Sequence, residues 1–327
     1  MPEDYLRLKG TTSISEDLLS TQLEANIVSF FNWGMLNIGG FTNYQRPNSG
    51  PSSENRNRLR LVKDPNYASG RVWEGFRRDW VWESGVYTQP STYQPIQVSG
   101  VWVDTVFYPI IIPATGVKSH VVDYPNGRII FNTALPTGSV VEASFSTRFA
   151  HFTTANAPWF RYLQQNSYQS DSPDFLATSS GLWNQLSQTR TQCPTVAVEI
   201  VPNRTFSPYA LGGGQYVKQD VIYHIITETK NDCNKLMDII SYQNDKTIKM
   251  YDTNAMATAG AYPLNYSGSI ATGAKTYPFW VEESGNGGYY NKTCSFEKTR
   301  INEVGILSPV LYLAQVRTTC VTPIEEI

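Results

Sequence analysis

Hydrophobic and polar positions follow two different periods along the chain, and the first is the period of a helix near the N-terminus. Ser13 and Glu16 fit a capping box, in which the serine hydroxyl accepts a hydrogen bond from the Glu16 N–H. Gly34 is the expected end of this helix. The apolar positions at helical spacing are Leu19, Leu23, Ile27 and Phe30. We therefore expect residues 1–70 to form an N-terminal helix followed by an extended arm.

From residue 71 the pattern changes to the alternation of β-strands. Asn126-Gly127, between two short apolar runs, predicts a hairpin, because both residue types tolerate positive φ. Residues 98–109 and 140–152 are each expected to form one strand, since apolar side chains recur there at every second position. In 140–152 the polar side chains that alternate with them, Arg148 among them, are expected on the opposite face. Short strands separated by turn residues predict a β-rich sandwich or barrel module over residues 71–168, ending in a short helix.

The last part of the chain mixes strand and helix patterns. A Ser-, Thr- and Gln-rich stretch, residues 169–191, is typical of a linker. Asn231 or Asp232 is expected to cap a helix. Its apolar stripe consists of Cys233, Leu236, Met237, Ile240 and Tyr242. The predicted strands are 195–201, 217–228, 247–251 and a terminal hairpin formed by 293–304 and 309–321.

These elements predict an α+β fold: an N-terminal helix, a β-rich sandwich or barrel module, and a C-terminal mixed sheet with one flanking helix over residues 192–327. A Gly-, Ala-, Thr- and Tyr-rich loop, residues 254–288, interrupts that last unit. A loop of this length is uncommon in a compact domain unless it has a function. We expect it to be a docking segment that becomes ordered on a partner, so that its deletion spares folding.

Composition and charge exclude several classes of function. The chain has 327 residues, a formal net charge of -2, 17% charged residues and 13% aromatic residues. The aromatic content excludes a disordered chain, and the near-neutral charge disfavours strong binding to nucleic acid or to a membrane surface. The sequence has no apolar run long enough for a membrane span and no secretory-signal pattern at its start. The cysteines are expected to be buried thiols in a protein made in the cytosol.

Residue types that carry out chemistry are sparse. The three histidines, His120, His151 and His224, are far apart and have no Cys or carboxylate at metal-ligand spacing. The glycines at 212–214 lack the lysine of a phosphate-binding loop. Carboxylates that pair only in the fold, as in glycoside hydrolysis, remain an open alternative. We expect no catalytic residues, no cofactor and no metal.

Two clusters of residues have more than one interpretation. Trp73, Trp80 and Trp82 alternate with arginines, a pattern that fits core packing, a subunit interface, or contact with bases or sugars. The basic run from Arg56 to Lys63 is either a solvated face or a contact for an acidic protein surface. Aromatic, low-charge surfaces favour large polar interfaces. The candidate interface residues are Trp73, Arg77, Trp80, Trp82, Tyr209, Leu211, Tyr262, Tyr266, Tyr277 and Trp280.

Two parts of the chain resemble virion proteins of tailed bacteriophages. Residues 117–152, with the run VDYPNGRIIFN and the strand VVEASFS, look like a β-module of such proteins. Residues 193–321 resemble neck or tail-terminator proteins, through the strand 195–201, the turn YALGGG, the run YHIITE and the helix NKLMDII. The resemblance covers about half of the chain.

The resemblance implies a structural, non-enzymatic virion protein that assembles in the host cytoplasm. It implies a homo-oligomeric ring, expected to be a hexamer, that terminates the tail and joins it to the head connector. Its partners would be tail tube, sheath and connector proteins, with genomic DNA passing through without sequence-specific binding. The length of the chain and its additional β-module leave a collar, connector-adaptor or baseplate role open. A carbohydrate-binding or carbohydrate-cleaving tail protein is the main alternative, and a secreted adhesin is a weaker one.

Overall fold

The computed structural model shows a mixed α+β protein composed mostly of strands with few helices, which confirms the expected fold class at that level. It describes residues 11, 13–46, 56–86, 93–110, 116–156, 193–210, 213–308 and 311–324. The predicted linker 169–191 and the predicted short helix after residue 157 lie outside these ranges. The finer similarity to a tail terminator remains a proposal.

The N-terminal helix, α1, spans Leu19–Asn37, so both predicted ends are wrong. Ser13 and Glu16 form a separate turn, in which the Glu16 N–H donates to the Ser13 carbonyl rather than to its hydroxyl. Gly34 lies inside the helix, because the buried side chains of the next turn continue the packing. The chain leaves the helix at Gly39, where φ is +79° and the N–H groups of residues 39 and 40 bond back to the last turn.

The β-rich module consists of short strands in small sheets. The predicted hairpin is confirmed: β6 and β7 pair antiparallel across Asn126-Gly127. The strands in order are β1 Phe41–Tyr44, β2 Arg60–Val62, β3 Val72–Glu74, β4 Gly100–Val103, β5 Val106–Pro109, β6 His120–Asp123, β7 Arg128–Phe131, β8 Val141–Ala143, β9 Phe145–Arg148 and β10 His151–Thr154. The sheet orders are β2-β3-β7-β6, β5-β4-β8 and β1-β9.

Both strands that were predicted to be long are divided in the structure. Asp104 and Thr105 have positive φ and reverse the chain, so residues 98–109 contain the β4–β5 hairpin. Residues 140–152 contain three strands because each segment has a different partner: β8 pairs with β4, β9 with β1, and β10 with β11. Alternation alone carries no information about a change of partner.

The C-terminal unit contains the remaining strands and helices. They are β11 Thr195–Ala210, β12 Gly213–Thr227, α2 Lys230–Ser241, β13 Thr247–Tyr251, α3 Thr253–Thr258, α4 Tyr277–Trp280, β14 Tyr290–Ser308 and β15 Leu311–Ile324. The strands form a curled six-stranded sheet with the order β10-β11-β12-β15-β14-β13. Helix α1 packs against β10, β11 and β13, and helix α2 packs against β12, β14 and β15. The predicted central position of β12 and the terminal β14–β15 hairpin are confirmed.

Helix α2 follows the predicted stripe with two corrections. Thr229, rather than Asn231 or Asp232, is the N-cap, and its hydroxyl accepts a hydrogen bond from the Asp232 N–H at 3.1 Å. Tyr242 follows the helix and is exposed, so it does not belong to the buried face. The four other predicted stripe residues are buried.

The long loop 254–288 packs against the rest of the chain, contrary to the expectation that it becomes ordered only on a partner. Tyr277 and Trp280 are buried in a cluster with Tyr251 and Met256. The loop also bonds the β-rich module, where the carbonyl of Gly268 accepts from the Tyr124 N–H at 3.1 Å. Its order arises from contacts within this chain.

Candidate functional site

Two of the predicted interface tryptophans belong to the core of the β-rich module. Trp73 and Trp80 are 3% and 1% exposed, and Trp80 stacks on Phe145 with ring centroids 4.2 Å apart. The indole N–H of each donates to a backbone carbonyl three residues earlier, so neither has an unsatisfied polar group. Core packing, one of the alternatives left open by the sequence, describes both residues.

The other predicted interface residues are dispersed over the molecule. Tyr262 and Tyr266 are exposed on the long loop, whereas Tyr277 and Trp280 on the same loop are buried. Arg77 is half-buried and donates through Nη2 to the carbonyl of Cys193 at 2.9 Å. The side chain of Tyr209 and all of Leu211 lie outside the described residues. The structure brings Trp82 and Trp280 together, with ring centroids 6.5 Å apart.

A first candidate site consists of two hairpin projections from the six-stranded sheet. In the β11–β12 projection, residues 202–206 are all exposed, although a strand that covers a core would alternate between buried and exposed positions. In the β14–β15 projection, residues 300–302 are exposed in the same way. Each projection carries one large exposed apolar side chain, Phe206 (54%) and Ile301 (47%). The exposed stretches are confined to the outer strand of each hairpin, because the paired residues on the inner strands, Val217 opposite Phe206 and Val316 opposite Ile301, are buried.

The outer edges of these projections are unpaired within the described part of the chain. Strand β10 pairs with β11 only as far as Val198, and β13 pairs with β14 only from Tyr290 to Ser295. Phe296 still exchanges backbone hydrogen bonds with residues 245 and 246, and the Thr299 N–H donates to Asn244 Oδ1 at 3.1 Å. Beyond Thr299 β14 pairs only with β15, and beyond Val198 β11 pairs only with β12, among the described residues. Unpaired strand edges of this length are templates for another strand. Pro202 and Pro208 have no N–H group, so neither contributes a donor to the edge of β11.

A second candidate site is a basic groove next to β2. Asn57 and Leu59 are buried, while Arg56, Arg58 and Arg60 alternate with them and are exposed. The groove has a volume of about 1010 Å³. Its walls are formed by Arg56, residues 58–61, Trp73, Phe76 and residues 137–139. The sequence identified this cluster but not the groove, which depends on the separation of two strands.

A third candidate site is a polar cavity of about 170 Å³ between α1, residues 79–83 and α4. Arg148 is 5% exposed there, and its Nε donates to Asp79 Oδ1 at 3.2 Å, while Nη2 donates to Glu83 Oε1. The second oxygen of Asp79 bonds Nδ1 of His151 at 2.7 Å. The aromatic side chains in the walls are Trp33, Trp82, Phe152, Tyr277 and Trp280.

The charges of this cavity stabilise one another. Burial by itself would raise the pKa of Asp79, but His151 and Arg148 outweigh it and hold that pKa below its usual value. Burial by itself would lower the pKa of Arg148, but Glu83 and Asp79 outweigh it and raise that pKa. The Asp79 carboxylate and the Arg148 guanidinium are therefore both charged at neutral pH. A general acid would need a raised carboxyl pKa, so the shift of Asp79 is in the wrong direction for that role.

Three polar atoms around this cavity have no hydrogen-bond partner within the described residues: Asn32 Oδ1, Arg148 Nη1 and Trp280 Nε1. Buried polar groups are normally satisfied, so these atoms indicate a water molecule or a polar ligand. Sequence reasoning missed this cluster, since it placed Arg148 on the solvent face of a strand. The one signal in the sequence was the low share of charged residues, 17%, because an arginine on a strand of such a chain more often has a specific partner.

The described residues contain no group of three or more His, Cys, Asp and Glu side chains placed to hold a metal ion. No helix among them has the length and apolar character needed to cross a membrane. Comparison with protein-family models gives no match to this chain, and comparison with curated proteins gives none.

Proposed function

We propose that this chain is a structural protein of a tailed-phage virion that forms a ring at the neck, where it terminates the tail and joins it to the head connector. The observation that carries the proposal is the pair of hairpin projections with exposed faces and unpaired edges. The link to phage particles rests on the sequence resemblance. The protein would act by assembly, without catalytic residues.

The projections support assembly because the packing of one chain does not explain the length of their strands or the exposure of their apolar side chains. Strands of 16 and 19 residues, β11 and β14, are much longer than the ~5–6 residues of an average strand. Each holds one large apolar side chain in solvent, Phe206 or Ile301, and this exposure costs free energy unless a partner covers the side chain. Ring subunits meet through two different surfaces, and this chain has two different projections.

The partners in this proposal are copies of the chain, expected to form a hexamer, together with tail tube, sheath and head connector proteins. Genomic DNA would pass through the ring, and the net charge of -2 is compatible with passage rather than retention. A collar, connector-adaptor or baseplate position would use the same projections.

Electron microscopy and analytical ultracentrifugation of the purified chain test the proposal. We expect rings, and we expect Phe206→Asp to dissociate them because it places a charge in the interface. Val117→Asp is the matched control, since this exposed apolar residue lies in the β-rich module and outside the six-stranded sheet. A chain that stays monomeric at all concentrations and is absent from virions would contradict the proposal.

The polar cavity favours a second candidate function, a carbohydrate-binding tail protein. Aromatic walls and unpartnered donors and an acceptor suit a sugar, whose hydroxyls both donate and accept. Both carboxylates are bound to Arg148, which favours binding over cleavage. A glycan array tests it: Trp82→Ala should abolish a signal that is retained by Trp102→Ala, a change on β4 outside the cavity walls. Detectable polysaccharide cleavage would instead indicate an enzyme.

A further inference from the structure

The basic groove forms where one chain segment changes its strand partner. Arg58 makes an antiparallel bridge to Glu142, and the Leu59 N–H donates to the Val141 carbonyl at 2.8 Å. Continuation of that register would place Leu61 opposite Ser139. Instead the segment turns away and pairs with β3 as strand β2. The groove opens between the two diverging strands, and Leu61 and Ser139 line it.

One side of β2 is unpaired along this groove. Within the described residues β2 is the edge strand of its sheet and pairs only with β3. The backbone N–H and C=O groups on its other side therefore face the direction from which β8 has separated. A strand edge beside an open groove can accept an extended peptide by strand addition.

The arginines add a charge pattern to this edge. Side chains two residues apart on an extended chain lie on the same face, about 6.6 Å from one another. Arg58 and Arg60 are related in this way, both are exposed, and neither forms an ion pair with another described residue. The pattern matches a second extended chain that carries carboxylates at alternate positions. In a chain with only 17% charged residues, such a cluster is a distinct positive patch.

We propose that this groove binds an extended acidic peptide segment of a protein partner. The peptide adds to the free edge of β2 at residues 60–62 and ends where β8 is still paired with the segment at Arg58. Its carboxylates at alternate positions lie against the side chain of Arg60 and, at its end, against that of Arg58. A nucleic acid would use the arginines but not the strand edge. The aromatic faces that bases would need are also occupied: Trp73 is buried, and the guanidinium of Arg56 covers the ring of Phe76 at 5.7 Å. The proposal is independent of ring formation.

Fluorescence anisotropy with the full chain and a labelled, alternating Glu-Val octapeptide tests this proposal. We expect binding that weakens with added salt, and a loss of about tenfold in affinity for the double variant Arg58→Gln/Arg60→Gln, from two exposed charge pairs. The matched control, Lys63→Gln/Lys246→Gln, removes two charges from exposed lysines that do not line the groove, and it should bind as the wild type does. Circular dichroism checks that both variants remain folded.

Two further probes test the strand addition and the class of ligand. The same octapeptide with alternate backbone nitrogens methylated keeps its charges but loses half of its amide donors. We expect it to bind at least about tenfold more weakly if the strand edge is used. Equal binding of the methylated peptide, equal binding of the double variant, or tighter binding of an oligo-dT of matched charge would each overturn the proposal.

Discussion

Asp79 connects the backbone, the ion network and the polar cavity. Its φ of +55° turns the chain so that the carboxylate faces Arg148 and His151. Arg148 has lost most of its hydration, and the two carboxylates replace it. A buried ion network of this kind contributes little relative to an apolar core, but removal of one partner is costly.

We predict that Asp79→Asn lowers the free energy of unfolding by about 3 kcal/mol, because Arg148 stays buried with one counter-charge fewer. Asparagine tolerates positive φ, so the backbone is not strained. Urea denaturation measures the change. Glu297→Gln removes the same charge from an exposed pair with Lys218 and should cost less than about 1 kcal/mol. Equal losses of unfolding free energy in the two variants would show that the buried ion network stabilises the chain no more than an exposed ion pair does.

The pH dependence of stability should depend on the same residue. The pKa of Asp79 is lower in the folded chain than the value of about 3.9 expected after unfolding. Its contribution is therefore complete above about pH 4 and is lost as the pH falls through the folded pKa. We expect the stability difference between wild type and Asp79→Asn to be constant near neutral pH and to shrink below about pH 4. Urea midpoints across this range measure it, and an undiminished difference at about pH 2 would contradict the assignment.

At the level of single residues, the sequence predicted burial well where a side chain is apolar and poorly where it is charged. The stripe of α2, with Leu236 and Ile240, follows directly from helical spacing. Arg148 was expected to face solvent because it alternates with apolar side chains. Its partners are 69 and 65 residues away, and no local pattern reports a partner at that distance.

The long loop is the element whose role changes most between sequence and structure. The Gly-rich composition predicted a segment that does not pack against the rest of the chain. In the structure, Tyr277 and Trp280 lie on the short helix α4 and are buried in an apolar cluster that includes Tyr251. Two buried aromatic side chains are enough to order a loop, because each removes a large apolar area from water. Deletion of the loop is therefore expected to destabilise the chain rather than spare it.

We predict that Trp280→Ala costs about 3–5 kcal/mol of unfolding free energy, because it leaves a cavity beside Tyr251 that the surroundings cannot fill. Tyr266→Ala, on the same loop but fully exposed, should change stability by less than about 0.5 kcal/mol. Thermal and urea denaturation compare the two. If the loop served only to dock on a partner, neither substitution would change the free energy of unfolding. In an assembly assay Tyr266→Ala would then have the larger effect of the two.

At the scale of the whole molecule, the two projections point in opposite directions. Register places Thr205, Lys218, Val321 and Ser295 in one row across β11, β12, β15 and β14. The β11–β12 turn lies beyond this row, whereas the β14–β15 turn lies at the opposite end of the sheet. Strand patterns in the sequence predicted the terminal hairpin and, as two separate strands, the parts of the β11–β12 hairpin. The relative direction of the two hairpins follows only from the strand order. Two different surfaces at opposite ends favour head-to-tail contacts over a two-fold dimer.

This geometry predicts which pairs of cysteines cross-link between chains. If the β11–β12 projection of one subunit meets the β14–β15 projection of the next, the double variant Phe206→Cys/Ile301→Cys should give a ladder of covalent oligomers with a short bis-maleimide. Each single variant should stay monomeric on a denaturing gel, because a head-to-tail interface never brings two copies of the same residue together. Three of the four native cysteines are buried, and the wild-type chain controls for the half-buried Cys193. A closed ring ends the ladder at the number of its subunits, whereas an open filament extends it without limit. Dimers from either single variant would mean that the chains meet around a two-fold axis, and the ring would then need a different interface.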